Sequence, residues 1–395
     1  MRLLLGLALA VSAALTATTL AVPAADAAGP SGVTLVGRGY GHGKGMSQYG
    51  AQNAAAHHDR TANQILAFYY PRTSTGKAGG VMKVLVTADT TDDVVVRHRS
   101  GLTVHRVGTR DSWRLSTTGA QRWRIVADSS IPGSRVDVRT DSGWRLGVRR
   151  IRGEAEFRAG GEPMRLYTPS GSAVYDGRLR SAYTAGRRNT VNVVHLEEYL
   201  QGVVPREVPA TWHPQAVRAQ AIAARTYAAF ERDAAGGRYF DVWDTVQSQV
   251  YGGVGAEHSA SNAAIAATSG QVRTYGGEPA FTQFGSSNGG WTVKGSRPYL
   301  VAKQDPYDLW SGNPNRRWEV RVSDDAVQAA WPAIGDFQRL RITRRDGRGT
   351  WGGRATEVYV RGSKGSVRVS GDAFRSALGL RSTMFVCPGG VDACP

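Results

Sequence analysis

Leu196-Glu197-Glu198-Tyr199-Leu200-Gln201-Gly202-Val203-Val204-Pro205-Arg206-Glu207-Val208-Pro209 leads, after Ala210-Thr211-Trp212-His213, into the alanine-rich run that starts at Pro214 and reaches Asp233. The second run is the clearest helix in the chain. Proline suits a first helical turn, Ala216, Ala219, Ala221, Ala223, Ala224, Ala228 and Ala229 have the highest helix propensity, and Gly236-Gly237 stops it. Side chains this small let another element pack very close, so the helix is expected to be buried. His195 to Val204 reads as a short helix leading into a turn, and Val191 to Val194 just before it as a strand. The expected fold class is α+β: a strand-rich mixed domain around a buried Ala-rich helix, plus a β-rich subdomain.

Glu207 lies between Pro205 and Pro209. Proline fixes its own φ and pushes the preceding residue toward extended geometry, so a carboxyl here is held in place. That suits a general acid, which must meet its target oxygen at hydrogen-bond distance. Apolar neighbours would raise its pKa. The competing reading is a surface glutamate in a proline-rich turn. A second candidate is Gly37-Arg38-Gly39-Tyr40-Gly41-His42-Gly43-Lys44-Gly45-Met46-Ser47-Gln48-Tyr49-Gly50, with glycine at every second position from 37 to 45. Such a ribbon has a face without Cβ atoms that a ligand or another backbone can approach. His42, Ser47 and Gln48 are of the kinds that bind sugar hydroxyls and amides. A phosphate loop fails on spacing, because Lys44 is followed by Gly45. Thr61-x-x-Gln64 is a capping box that opens a short helix ended by Pro71. A third candidate, Phe284 to Thr292, offers Ser286 and Ser287 without the nucleophile-elbow pattern of a serine hydrolase.

Outward from these segments, residues 28–80 hold the glycine ribbon and its helix, 81–190 read as β-rich, 191–386 as the core, and 387–395 as a terminal loop. Thr73 to Gly80 reads as a linker. In the β-rich region Trp113-Arg114-Leu115, Trp123-Arg124-Ile125 and Trp144-Arg145-Leu146 repeat one theme, with the arginine on the face opposite the apolar pair. This is either a basic face for an anionic polymer or an ordinary solvent face. Residues 1–27 read as an export signal: Met1-Arg2, an apolar run from Leu3 to Val22, and the Ala25-Asp26-Ala27 cleavage pattern. A membrane anchor is the alternative, since the run is about long enough to span a bilayer. Cys387 and Cys394 sit where an exported chain keeps disulfides, and the residues between them permit a small closed loop; two free thiols remain the alternative. Two sulfurs without a nearby histidine make a poor metal site, and no metal or cofactor is expected. The net charge of +17 predicts attraction to polyanions. The export signal argues against nucleic acid and toward wall polymers.

Taken together, Leu196 to Glu207, Ala219-Gln220-Ala221-Ile222-Ala223-Ala224-Arg225-Thr226-Tyr227-Ala228, Gln249-Val250-Tyr251-Gly252-Gly253, Ser286 to Thr292, Pro298-Tyr299-Leu300, Leu380 to Phe385 and the Gly41 to Ala51 ribbon resemble the SpoIID/LytB family, the stage II sporulation protein D and amidase-enhancer group. Members usually carry the glycine–histidine loop at the carboxyl end, after the segment matching Leu380 to Phe385. Here it is at the amino end, as in a circular permutation, which is tolerated where termini lie close together. Residues 33–37 are therefore expected beside residues 383–387.

The resemblance implies a secreted, wall-facing protein acting on peptidoglycan glycan strands. Sporulation members are lytic transglycosylases that cut between N-acetylmuramic acid and N-acetylglucosamine and leave a 1,6-anhydro end. On that reading Glu207 is acid and then base, while His42, Ser47, Gln48, Arg225, Tyr227, Gln249, Ser286 and Ser287 shape the cleft or hold the glycan. Arg225 has the alternative role of a structural ion-pair partner. The rival reading is a non-catalytic enhancer of a wall amidase, bound to the wall or to the amidase through a basic face.

Overall fold

The computed structural model describes residues 30–184 and 186–394; the expected export segment, residues 1–27, and the start at Ala28 lie outside the described residues. Strands dominate, and the Ala-rich helix is central. Helix α1 (Gln48–His58) is capped by Ser47, whose side chain accepts from the Gly50 N–H, and helix α2 (Ala62–Tyr69) opens with the expected Thr61/Gln64 capping box. Helix α3 (Leu196–Glu207) carries Pro205 inside its last turn, and helix α4 (Pro214–Ala234) follows the expected bounds within a residue. The alanines of α4 are buried on two sides. Ala221, Ala224 and Ala228 face the largest apolar core, while Ala216, Ala219 and Ala223 face α1 and α2 in another.

A seven-stranded sheet runs in the order Val242–Trp243, Val81–Leu85, Arg187–His195, Arg178–Thr184, Ala155–Arg158, Thr103–Arg106, Ser112–Arg114. A six-stranded sheet runs Gly143–Arg152, Gly133–Thr140, Arg122–Ala127, Asp93–Arg97, Met164–Thr168, Gly171–Tyr175. Trp123, Ile125 and Val138 of the second sheet and Val84, Phe157 and Leu179 of the first share one core with Leu200, Val203 and Val217 of α3 and α4. The β-rich region is thus continuous with the helical core. The strand Arg187–His195 crosses from one to the other and delivers the chain straight into α3.

Two expectations change here. Thr73 to Gly80 is not merely a linker: Ser74–Lys77 pairs with Gln271–Tyr275 as a strand. Small and hydroxylated residues make good linkers but also pair where a partner edge is offered, which local composition does not reveal. The expectation for the Trp-Arg strands changes only in part: Arg124 is drawn onto a buried carboxylate, whereas Arg114 and Arg145 stay exposed on the solvent side. Arg124 and Arg135 converge on buried Asp137, Arg150 meets Asp128, and Arg158, Arg178 and Arg180 surround buried Glu156.

The described ends meet as the permuted order requires. Val36 pairs with Val386 and Gly37 with Phe385, and the Arg38 N–H donates to the Met384 carbonyl at 2.9 Å. The same strand, Val33–Gly37, pairs on its other edge with Trp318–Val322. Cys387 and Cys394 form a disulfide that closes the adjacent loop and joins the core under the sheet of Phe337–Arg345, Ala355–Gly362 and Ser366–Ser370. Among the described residues no helix is long and apolar enough to cross a membrane.

Candidate active site

Glu207 ends α3, and its carboxyl faces a cavity of about 360 Å³ lined by His42, Tyr227, the run Val246 to Val250, Gln283 and Phe284. Its placement is not the one expected from its prolines. Proline restricts the residue before it, here Val204 and Val208, and only Val208 is extended (φ −137°, ψ 149°). Glu207 is held instead by the helix end and by what docks on it. Gly202, one helical turn earlier, lets the Tyr251 ring approach to 2.6 Å of where a Cβ would stand, and its carbonyl accepts the Gly252 N–H at 3.0 Å. That contact seats the 246–250 loop over Glu207, and the Val250 N–H donates to the Glu207 carboxyl.

Burial raises the Glu207 carboxyl above its usual pKa; hydrogen bonds from the Gln48 side chain and the Val250 backbone pull the other way without cancelling it. The Gln48 amide donates to Glu207 Oε2 at 3.3 Å. His42 is open to the cavity yet crowded by protein. Desolvation, reinforced by Lys44, Arg354 and Arg375, lowers its pKa to about 4. Its Nδ1 accepts the Lys44 N–H at 2.9 Å, so the neutral ring carries its proton on Nε2 and is a donor there. Tyr227 stacks on Phe281 at 5.5 Å between ring centroids and, with Phe284, forms an aromatic wall. Gln249 is buried at the cavity floor, bonded to Tyr199 and the Ala224 carbonyl. Among the described residues, Glu207 is the sole carboxylate lining the cavity.

The glycine ribbon reaches this cavity by packing against protein, with no Cβ in the way. At Gly45 (φ 67°) a Cβ would stand 1.9 Å from the Gln283 carbonyl oxygen, and at Gly43 (φ 73°) it would meet the Arg354 guanidinium. Five of the expected contact residues, Gln48, Ser47, Arg225, Ser286 and Ser287, are not part of the cavity lining, although Gln48 reaches Glu207 from behind it. Arg225 is wholly buried on the far side of α4, in a bidentate ion pair with Glu197 at 2.7 and 2.8 Å, and it also donates to the carbonyls of Ile265 and Gln271. Its role is the structural alternative; a guanidinium at an interior helix position, among alanines, has no path to solvent. Ser47 and Ser287 both donate to the buried Asp308 carboxylate, Ser47 while also capping α1. Ser286 is half-buried and ties the same region: its carbonyl accepts the Tyr49 N–H at 3.1 Å and its hydroxyl accepts from Asn315. These serines build the cleft wall without facing the cavity.

Asp308, which carried no signal in the sequence, is the centre of that wall. Its two oxygens take the Ser47 and Ser287 hydroxyls and the backbone N–H groups of Asn288, Gly289 and Gly290. Asp305 beside it accepts from Tyr69, Asn288 and the Tyr307 N–H, and burial together with the Asp308 charge raises its pKa to about 6. Val246, Gln247, Ser248 and Gln283 also line the cavity without having been singled out; the amide and hydroxyl run Gln247-Ser248-Gln249 was the readable trace of them. Among the described residues no group of three or more His, Cys, Asp or Glu converges as a metal site would require.

Residues 184–275, which hold Glu207, α3, α4 and the 246–250 loop, match the family model of the stage II sporulation protein SpoIID. The chain is 34% identical over 165 residues to the amidase enhancer of Bacillus subtilis strain 168, covering 40% of this chain and 20% of that protein. It is 33% identical over 142 residues to the stage II sporulation protein D of the same strain, covering 30% and 41% of the two chains. Against the stage II sporulation protein D of Bacillus amyloliquefaciens it is 28% identical over 218 residues, covering 50% and 61%. The chain thus spans from about a fifth to about three fifths of the length of these relatives. The motif order, the matched region and these relatives make the chain similar to the SpoIID/LytB family and support a cell-wall-related role.

Proposed function

We propose that the protein is a secreted, wall-acting lytic transglycosylase that cleaves peptidoglycan glycan strands with Glu207 as its one acid–base group. The observation that carries this reading is a single carboxyl, its pKa raised, in a polar cavity with no second carboxylate in the lining among the described residues. Hydrolysis by glycosidases employs two carboxyl groups, about 5–9.5 Å apart. One suffices when the attacking group belongs to the substrate. Protonated Glu207 gives its proton to the glycosidic oxygen, and the bond from that oxygen to C1 of the muramic sugar breaks. The carboxylate so formed takes the proton of the C6 hydroxyl, whose oxygen bonds to C1. No water is consumed, and Glu207 ends protonated as it began. The Nε2–H of neutral His42 and the amides of Gln247 and Gln283 suit sugar hydroxyls and acetamido groups, and the Tyr227–Phe284 wall suits the apolar face of a pyranose.

The test is incubation of the purified protein, without any partner, with peptide-free glycan strands, and mass spectrometry of the products. Anhydro-muramyl ends from the wild type, and none from Glu207→Gln of unchanged Tm, are expected. Products that carry an added water, or cleavage retained in Glu207→Gln, would remove the proposal.

The 34% identity to an amidase enhancer favours a second reading, in which the chain binds the wall or an amidase and stimulates the amidase without cutting glycan. Stimulation of an added amidase by Glu207→Gln as strongly as by the wild type, with no anhydro product from either, would select it.

A further inference from the structure

In the β-rich region Arg124, Arg135, Arg150, Arg158, Arg178 and Arg180 meet buried carboxylates, while Arg114 and Arg145 of the strand pattern are exposed and have no ion pair among the described residues. On the carboxyl-terminal sheet of Phe337–Arg345, Ala355–Gly362, Ser366–Ser370 and Ala393–Cys394, Arg345 and Arg368 are paired, but a second group of arginines on its outer face is not. Its inner face is apolar: Leu340, Ile342, Val358 and Val360 lie in the core closed by the disulfide. Its outer face carries Arg339 and Arg341 on one strand, Tyr359 and Arg361 on the next and Arg368 on the third, all exposed except half-buried Tyr359. The register sets Arg339 directly opposite Arg361 and Arg341 opposite Tyr359. Like charges directly across a ladder are destabilising. Glu357 is the face's one acidic side chain, and it is engaged by Arg368 at 3.0 Å. Arg339, Arg341 and Arg361 have no ion pair among the described residues. The charge is dense enough to lower the Tyr359 pKa: a hydrogen bond with Ser366 is the largest cause, and Arg361, Arg339 and Arg368 add to it.

We propose that this face docks a linear phosphodiester polymer of the alditol-phosphate kind, an anionic chain lying along the three strands. Arginines two apart on a strand stand about 6.6 Å from one another, and the cross-strand row Arg341, Tyr359, Arg368 within the four-stranded sheet spans about 10 Å. Those dimensions suit one extended polymer with closely spaced phosphates and leave no room for a duplex. Guanidinium forks match phosphate oxygens in pairs. The occupant is an alditol phosphate and not a single-stranded nucleic acid because the face has no free aromatic platform. Tyr359 is its one ring and is already covered by the Arg368 guanidinium, 5.2 Å from the ring centroid, whereas sequence-tolerant single-strand binding relies on stacked bases. The repulsion between Arg339 and Arg361 is relieved only when an anion lies between them.

The experiment measures binding of fluorescently labelled poly(glycerol phosphate) to the full-length protein by anisotropy, from about 50 to 300 mM salt. Wild type is expected to bind with a steep salt dependence. Arg339→Gln/Arg341→Gln/Arg361→Gln is expected to lose at least about tenfold in affinity at the lowest salt, and its salt slope to fall by about two, on the counterion-release scale for single strands. A charge-matched control, Arg110→Gln/Arg114→Gln/Arg152→Gln, removes exposed arginines of the β-rich region and is expected to stay within about twofold of wild type. Equal losses in the two triple variants would overturn the proposal, since the binding would then follow net charge alone. Tighter binding of single-stranded DNA of equal charge would overturn the choice of occupant. The single variant Arg361→Gln guards against misfolding of the triple: it is expected to raise Tm at low salt by relieving the cross-strand pair, while weakening polymer binding. A lower Tm in Arg361→Gln would remove the premise of unrelieved repulsion.

Discussion

The Gln48 side-chain amide donates to Glu207 Oε2 across 3.3 Å, joining two residues 159 positions apart in the chain. Gln48 opens α1, directly after the glycine ribbon, and Glu207 closes α3. The donor favours the charged form of the acid, so it holds back a pKa that burial raises. Replacing Gln48 with Leu is expected to move the alkaline limb of the pH–rate profile to higher pH. It should also lower kcat by about tenfold through loss of carboxyl orientation. An alkaline limb that does not move would show that the bond is idle.

The pH profile itself has a definite sign. Glu207 must be protonated to act first, and its folded pKa lies above the ordinary carboxyl value, so activity is expected to hold on the acid side and fall as pH rises through that pKa. His42 is neutral above about 4 and gains a charge below it. An acid limb near that value is expected in the wild type and is expected to vanish in His42→Gln, as measured by initial rates of anhydro-product release from glycan strands.

Asp308 is expected to be the most sensitive position of the cleft wall. Five donors from the ribbon and the 287–290 loop converge on its carboxylate. Asp308→Ala removes the acceptor of all five in a buried site and leaves the Ser287 hydroxyl and the Asn288 and Gly289 N–H groups without it, while Gly290 and Ser47 keep second acceptors in Asn288 and the Ser286 carbonyl; the expected cost is about 3 kcal/mol or more. Chemical denaturation should register this as a lower midpoint, with loss of glycan cleavage even at temperatures where the variant remains folded.

Arg225→Met is expected to leave the chemistry of the folded protein intact while lowering stability, because the guanidinium serves Glu197 and two carbonyls away from the cavity. Truncating one partner of such a pair costs about 3 kcal/mol. Unchanged KM and kcat below the transition temperature, together with a lower Tm, are the expected pair of results. A raised KM at unchanged Tm would return Arg225 to substrate binding.

Acid stability is expected to hinge on Glu156. Burial opposes its charge, but Arg180, Arg178 and Arg158 outweigh burial and hold its folded pKa below the ordinary glutamate value of 4.5. Its contribution is therefore complete above that unfolded value and is lost as pH falls through the folded one. Asp305 has the opposite sign. Its pKa of about 6 means that the folded state holds the proton longer, so its contribution declines as pH rises from 3.8 to about 6. Glu156→Gln is expected to flatten the acid limb of a Tm-against-pH curve, and an unaltered limb would exclude Glu156 as its cause.

Much was legible in the residues themselves. The bounds of α4, the Thr61/Gln64 capping box, the cysteine pairing and the adjacency of residues 33–37 to 383–387 all follow from local patterns or motif order, and the structure has them. Glu207 was readable as an acid in an ordered segment, although its prolines act on Val204 and Val208 and not on Glu207 itself. Less was legible where direction mattered. Ser47, Ser287 and Arg225 are of the right chemical types for ligand contact, but each spends its polar atoms on a buried partner elsewhere in the chain.

The sequence by itself determined the helices, the family resemblance and the identity of one candidate acid, because capping, propensity and motif order are written in neighbouring residues. Only the tertiary structure decided which polar groups face the cavity, which arginines are neutralised and which are left bare. Those outcomes depend on pairings such as Gln48 with Glu207, Ser47 with Asp308 and Arg225 with Glu197, made between segments far apart in the chain. A buried polar group must find its partner wherever the fold supplies one, and no local period encodes where that is.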